Sequence, residues 1–189
     1  IYLHHYFETS HSEALDKTIG FFAAYQRFDD GDFKTPKAFP YCSNMSCYGK
    51  HTCYWGVTKL LKGISFIPKN ERTKAAQQLI ENCIDFVLHH QVCFRSHNDV
   101  RFLHRDIGKL TFPNFYKSDF LEILWLLARE EVHDRKMSRS LQLLRSKMKD
   151  SGFWELEKSM NVIVSIGQKD CANAFITERA TEVLDHYGH

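Results

Sequence analysis

The chain has 189 residues, of which 43% are hydrophobic and 25% are charged, and this composition predicts a well-cored folded domain rather than a disordered segment. The formal net charge is only +2, with lysine and arginine scattered along the chain, so no nucleic-acid-binding surface is expected. No apolar run approaches the roughly 18–20 residues that cross a bilayer, so no membrane span is predicted.

Six cysteines occur in a chain that shows no secretory signal, with its basic start and apolar centre. A chain of this length with a substantial core does not depend on disulfides, so we expect free or metal-bound thiols in a reducing, cytoplasmic compartment. Cys83 lies inside a helical pattern and is interpreted as a small buried hydrophobic residue.

Apolar residues recur at helical spacing in six stretches, and no stretch shows the period-two alternation of a strand over a useful length. The chain is therefore predicted to be all-α. Two long loops, 33–50 and 92–116, each join the two helices of a pair, and loops of this length are often functional. The predicted helices cover about residues 12–26, 52–65, 70–90, 117–129, 135–148 and 173–187. The predicted N-cap residues of the first, second, fourth and sixth helices are Ser12, Thr52, Ser118 and Asn173.

These helices form an internal repeat of about 60 residues. The first, third and fifth helices end with Gln26, Gln91 and Met148, which are 65 and 57 residues apart. The starts of the second, fourth and sixth helices are 66 and 58 residues apart. The helix ends and the helix starts therefore give nearly the same repeat lengths. Each unit is a helix, a loop and a helix, which must stack on its neighbours to bury its apolar face. The units cover residues 12–65, 70–129 and 135–187 of one domain, and the second helices start at Cys53, Asp119 and Thr177.

One segment of the repeat points to a known architecture. Ser140–Trp154, with its Leu143-Leu144 pair, Gly152 and Trp154, resembles the QW repeat of squalene and oxidosqualene cyclases. The same helical hairpin builds the β subunits of protein prenyltransferases. The resemblance implies an α/α-toroid-like fold, here a partial toroid of about three hairpins.

Two weaker copies of the QW repeat, at residues 18–33 and 84–94, extend the resemblance over essentially the whole chain. In such toroids the helices that start at Cys53, Asp119 and Thr177 would be inner helices, with their N-termini gathered on one face. Three hairpins do not close a toroid. The chain is therefore expected to be the C-terminal part of a larger toroid, or to pair its open hairpin edges in a homodimer.

The acid motif of squalene-type cyclases, Asp-x-Asp-Asp, is not reproduced in this chain. Its nearest equivalent is Asp29-Asp30-Gly31-Asp32, in which the order of residues differs and which lies in a turn of the repeat. We interpret this stretch as a solvated turn, so cyclase activity is not expected.

Protein prenyltransferases hold zinc with Asp-x-Cys at the start of one inner helix and a histidine from another. Here His51-x-Cys53 stands at one such start and Asp119 at the next. Locally, Cys42, Cys47, His51 and Cys53 offer three thiolates and one imidazole within twelve residues, a set that zinc accepts tetrahedrally. We predict zinc in a closed local site or in a partly open site completed by Asp119. Packed thiols in a folded loop are the alternative.

Aromatic side chains near the predicted inner helices suggest an apolar cavity, although core packing explains the same residues. Two hypotheses remain open. One is a zinc-dependent transferase or terpenoid-related enzyme that acts on an apolar small molecule, an isoprenoid or a peptide. The other is a non-catalytic binding or assembly module with a structural Cys/His loop. The candidate pocket residues are Tyr54, Trp55, His104, Phe115 and Tyr116.

Overall fold

The computed structural model of the chain describes residues 13–31, 36–43, 51–159 and 167–188. Within these ranges the chain forms six α-helices and four short strands. It divides into two compact units, whose boundary lies between Val87 and Leu88. None of the described helices combines the length and the apolarity that crossing a membrane requires.

The first unit is helical in its described part. It contains α1 (Glu13–Tyr25), α2 (Tyr54–Ser65) and most of α3 (Lys74–His89), whose last turn crosses the boundary. Apolar residues at helical spacing form the buried side of each helix, as the sequence pattern predicts. Along α2, for example, Val57 and Ile64 are fully buried, and each such side chain contributes roughly 1.5–3 kcal/mol of hydrophobic stabilisation.

The second unit combines three helices with four strands. Strands β1 (Phe94–Arg95) and β2 (Asn98–Phe102) form an antiparallel hairpin. Strands β3 (Thr111–Phe112) and β4 (Lys158–Ser159) pair in parallel although they are far apart in the chain. The helices of this unit are α4 (Phe120–Arg129), α5 (Ser138–Ser146) and α6 (Ala174–Tyr187).

Helix α4 is the centre of the second unit. It packs against both α5 and α6, and its apolar residues cover nearly its whole circumference, as expected of a buried helix. Trp125, by contrast, is half-buried. The buried apolar residues of α4 are Phe120, Leu121, Ile123, Leu124, Leu126 and Leu127.

The all-α, α/α-toroid-like class is wrong, because the chain is a mixed structure of helices and two small sheets. Three of the four strands have only two residues, too few to show an alternation of apolar and polar side chains. The longer strand β2 is exposed along most of its length, so it carries no buried face to be recognised in the sequence. These strands lie in stretches that were predicted to be loops.

The helices themselves lie close to their predicted positions, while two of the predicted caps are wrong. Helix α4 begins after Asp119 rather than Ser118, and α2 begins after Cys53 rather than Thr52. Asn173 caps α6 as predicted, since its side chain accepts a hydrogen bond from the N–H of Ile176. Ser12, the predicted cap of α1, lies outside the described residues.

Candidate functional site

Two sequence features that were considered separately meet in the first unit. The turn at Asp29 packs against the residues before α2, where the Thr52 hydroxyl lies 3.3 Å from Asp29 Oδ1 and the Thr52 N–H donates to the Asp29 carbonyl. Arg27 holds the same carboxylate with two hydrogen bonds of 2.6 and 2.7 Å. Despite its partial burial, Asp29 has a lowered pKa because these donors stabilise its charged form. The Asp-rich turn is therefore a docking point for the chain that leads into α2.

The His51 side chain also lies against the Asp-rich turn, next to Asp30 and Gly31. Its Nδ1 lies 3.7 Å from Asp30 Oδ1, with the imidazole 58% exposed and the carboxylate 18% exposed. Gly31 has φ +98°, and a methyl group at this position would lie 2.5 Å from the imidazole. Glycine is thus required here both for backbone conformation and for space. Of the two ring nitrogens of His51, Nδ1 is thus the one within ion-pair distance of Asp30.

Cys53 is the N-cap residue of α2, and it makes no side-chain capping hydrogen bond. The thiol is half-buried. Helix N-termini carry a partial positive charge from unsatisfied N–H groups, which favours anionic ligands there. Cys53 lies two residues after His51 in the chain, and both residues are predicted metal ligands.

The remaining predicted metal ligands are not gathered at this point by the described structure. Cys42 is exposed, in a short 3₁₀ turn (Tyr41–Ser43). Cys47 lies outside the described residues, and Asp119 belongs to the second unit. Among the described residues there is no group of three or more histidine, cysteine or acidic side chains that could hold a metal ion. Zinc therefore stays a prediction.

Asp119 caps α4 in the second unit and is 2% exposed. Its Oδ1 accepts the N–H of Glu122 at 2.8 Å, and its Oδ2 accepts both the N–H and the hydroxyl of Thr111 at 2.7 and 2.9 Å. Burial nevertheless raises the pKa of Asp119 to about 6, outweighing these donors. Oδ1 thus caps α4 and Oδ2 joins β3 to the start of that helix, so both oxygens have a structural role.

The predicted pocket residues fall in both units. Tyr54 is buried, its ring centroid 6.0 Å from that of Phe86, and Trp55 is half-buried. In the second unit, Phe115 and Tyr116 are 70% and 56% exposed. His104, also in the second unit, is half-buried, and its pKa is lowered by burial and then by Lys117. A cavity lined by these residues stays a prediction.

A pocket of about 310 Å³ lies elsewhere in the second unit. It lies between the C-terminal turn of α5, the loop that follows it and the C-terminal half of α6. Four of its lining residues come from the end of α5 and the following loop, and two come from α6 at a spacing of three residues, which places them on one helix face. The lining residues are Arg145, Met148, Gly152, Trp154, Thr181 and Leu184.

Trp154 forms a fixed part of the pocket wall. It is 2% exposed, and its indole Nε1 donates to the carbonyl of Leu144 at 2.9 Å. Its backbone N–H donates to the Thr177 hydroxyl on α6 at 3.1 Å. A tight turn with Gly152 at φ +78° brings the chain back from α5, a conformation that glycine adopts without strain. The wall is thereby held by both helices.

The rim of the pocket contains a half-buried arginine and two exposed side chains. Arg145 donates one hydrogen bond, from a terminal nitrogen, to the Gly188 carbonyl at 2.7 Å. Within the part of the chain that the structure describes, it has no other hydrogen bond and no ion pair. Met148 is 48% exposed, and Thr181 is exposed with its hydroxyl uncommitted among the described residues. The pocket thus has apolar walls and one available cation at its mouth.

Gly152 and Trp154 were expected to belong to a QW-like repeat, and neither was predicted to line a pocket. Thr181 and Leu184 were not predicted to line a pocket. The available signal was their spacing on α6, yet the same spacing occurs on any packed helix.

No protein-family model matches the chain, and no curated protein or solved structure shows detectable similarity to it.

Proposed function

We propose that the second unit is a non-catalytic binding module for a small apolar ligand. The observation that supports this is the pocket of about 310 Å³ beside Trp154. Small-molecule sites have volumes of roughly 300–1,000 Å³, with mostly apolar linings and a few polar groups. Since one water-sized group occupies about 30 Å³ in the liquid, the pocket has room for about ten non-hydrogen atoms.

The lining residues favour binding over catalysis. General acid–base and nucleophilic catalysis need a histidine, a carboxylate, a lysine or an activated thiol or hydroxyl within reach of the substrate. The pocket is lined by an arginine, a methionine, a glycine, a tryptophan, a threonine and a leucine. The Thr181 hydroxyl is the one group of nucleophilic type in this lining, and no lining residue is a base that would activate it.

Calorimetric titration with 1-octanol, an apolar probe of about ten non-hydrogen atoms, tests the proposal. We expect saturable binding with a negative heat-capacity change, the marker of apolar burial. Thr181→Phe, which places a ring in the pocket mouth, should abolish binding. Glu178→Phe is the matched control, because Glu178 is exposed on the same helix and does not line the pocket. Equal binding by both variants, or no binding by the unmodified protein, would contradict the proposal.

A zinc–thiolate site in the first unit is a second candidate, and the Asp30–His51 contact favours it. Metal-bound histidines commonly present their other ring nitrogen to a carboxylate, which fixes the tautomer. Asp30 lies on the Nδ1 side of His51, which leaves Nε2 for a metal beside Cys53. A zinc ion held there with an open coordination position would activate a thiolate or a water, the chemistry of the zinc-dependent transferase hypothesis.

Metal analysis of protein produced with zinc supplied tests this second candidate. We expect about one zinc per chain, with loss of the metal in His51→Ala and Cys53→Ser. Asp30→Asn should weaken binding by about 10–100-fold, as outer-shell changes do. Cys83→Ser is the control, since Cys83 is fully buried in α3. Zinc-free wild-type protein, or equal zinc in all variants, would exclude the site.

We also infer a reducing, cytoplasmic compartment for the chain, because Cys171 is an exposed free thiol. Exposed thiols persist where glutathione and thioredoxin keep them reduced. Chain purified from its native source under acid-quenched, non-reducing conditions should therefore show six free thiols after unfolding. Recovery of disulfide-linked cysteines from that source would contradict the inference.

A further inference from the structure

We infer that the ligand of the Trp154 pocket is an apolar monocarboxylate whose head group binds Arg145; this rests on the proposed function. Arg145 lies at the pocket and is half-buried, and it carries a guanidinium cation with five N–H donors. Of its five N–H donors, one is directed to the Gly188 carbonyl. The Gly188 oxygen is a neutral acceptor, so this contact orients the guanidinium without neutralising it.

The charges around the pocket leave Arg145 as its uncompensated cation. Lys147 pairs with Glu157 at 2.7 Å, and Lys149 pairs with Glu155 at 3.0 Å. Within the described part of the chain, no carboxylate lies within ion-pair distance of Arg145. An anionic head group would therefore meet a single unopposed positive charge at the mouth of an otherwise apolar cavity.

A carboxylate fits this arrangement better than a phosphate monoester does. The guanidinium fork matches a carboxylate with two parallel hydrogen bonds, and the exposed Thr181 hydroxyl supplies one further donor at the rim. A phosphate monoester carries close to two negative charges at neutral pH, which one arginine does not balance. The walls made by Met148, Trp154 and Leu184 accept the apolar tail, and about ten non-hydrogen atoms fit the volume.

The test compares octanoate, 1-octanol and octyl phosphate by calorimetric titration at neutral pH, with the whole chain. We expect octanoate to bind about tenfold or more tightly than octanol, because a charge-assisted hydrogen bond is added. Arg145→Met should abolish the preference for octanoate, so that octanoate and octanol bind the variant with equal affinity. Arg139→Met is the control on the same helix, since Arg139 stacks on Phe94 and does not line the pocket.

The outcomes separate the inference from the proposed function. If octanol and octanoate bind equally to the unmodified protein, or Arg145→Met keeps the preference, the carboxylate inference fails and the apolar binding function stands. If octyl phosphate binds more tightly than octanoate, the head group is a phosphate and the inference is overturned. If none of the three binds, the proposed function fails and the inference fails with it.

Discussion

The carboxylate of Asp119 accepts two hydrogen bonds from Thr111, one from its backbone N–H and one from its hydroxyl. Asp119 begins α4, and Thr111 begins β3, whose partner strand is β4. One buried side chain thus connects the start of the central helix to the small parallel sheet. The pairing of β3 with β4 in turn positions the chain that follows the Trp154 pocket.

The first prediction concerns the pH dependence of stability that Asp119 produces. Its pKa is about 6 in the folded chain, whereas an unfolded aspartate has a pKa near 3.9. The folded state therefore holds the proton more tightly, so its stability falls as pH rises between about 4 and about 6. The loss is about 3 kcal/mol. Urea unfolding measured across this pH range should show it.

Asp119→Asn is the matched variant for this measurement. An asparagine keeps an oxygen that accepts the Glu122 N–H, as N-cap residues do, but it does not titrate. Histidines and other carboxylates titrate in both proteins, so their contributions cancel in the difference. The difference in unfolding free energy should change by about 3 kcal/mol over this range. A difference that stays constant with pH would show that Asp119 is not titrating in this window.

The second prediction concerns Asp106, which is buried within the second unit. Its carboxylate lies 2.7 Å from Lys158 Nζ and 2.9 Å from Lys109 Nζ, and Lys158 above all holds its pKa well below the usual range. Asp106→Asn should destabilise the chain by about 3 kcal/mol, the low end for breaking a buried ion pair, because both lysines are partly exposed. Because the folded pKa is lowered, this contribution is present above about pH 4 and is lost as pH falls further.

Arg105 provides the control for Asp106. Its side chain is 84% exposed and its Nε lies 3.5 Å from the same carboxylate. Since exposed ion pairs contribute little, Arg105→Gln should change the unfolding free energy by less than about 0.5 kcal/mol. If both variants lose the same stability at neutral pH, the contacts with Lys158 and Lys109 are not what stabilises the Asp106 carboxylate.

The third prediction compares two glycines of the first unit. Gly31→Ala should destabilise by about 1–3 kcal/mol, because its φ of +98° strains any side chain and the methyl would meet the His51 ring at 2.5 Å. Gly20→Ala should instead stabilise by about 0.5–1 kcal/mol, because Gly20 is exposed in the interior of α1 with open space around it. Chemical denaturation measures both.

A double variant separates the two causes at Gly31. In a His51→Ala background the clash is removed while the backbone strain remains, so Gly31→Ala should cost less than it does with His51 present. If Gly31→Ala lowers the unfolding free energy equally in both backgrounds, the imidazole does not pack on Gly31. The contact between the turn at Asp29 and the residues before α2 would then be contradicted.

The helices could be predicted from sequence because apolar residues recur at helical spacing over about ten residues in each of them. A pattern of that length is distinguishable from a random distribution of apolar residues. Leu121 and Leu124 illustrate this: their spacing predicts a buried helix, and both are buried in α4. The cap of α4 was misassigned because Ser118 and Asp119 are both good N-cap residues. The structure selects Asp119 through a tertiary contact with Thr111 that no local pattern contains.

The sites were less predictable than the helices for the same physical reason. The contact between Asp30 and His51 joins residues far apart in the chain, and each lies in a segment with no periodic pattern. The Trp154 pocket likewise depends on how α6 packs over the turn at Gly152, so its residues share no motif. Local propensity determines elements, whereas the sites arise from packing between them.

The last prediction concerns the reactivity of the cysteines, and it connects with the zinc hypothesis. Cys42 and Cys171 are exposed and should be alkylated rapidly in the native chain, whereas Cys83 and Cys93 are fully buried. Burial raises the pKa of Cys93 to about 12 and that of Cys83 as well, so both lack the thiolate that reacts. Peptide mass spectrometry after a short exposure to iodoacetamide identifies the modified sites. Alkylation of Cys83 or Cys93 before unfolding would contradict the burial.

Repeating the labelling with zinc bound distinguishes a metal site from packed thiols. If zinc binds with Cys42 and Cys53, both should become protected, because a coordinated thiolate is a poor nucleophile, while the exposed Cys171 continues to react at its original rate. Cys171 is the internal control, since it belongs to the second unit. Equal protection of all exposed cysteines would indicate non-specific metal binding, and unchanged rates at Cys53 would remove it from the ligand set.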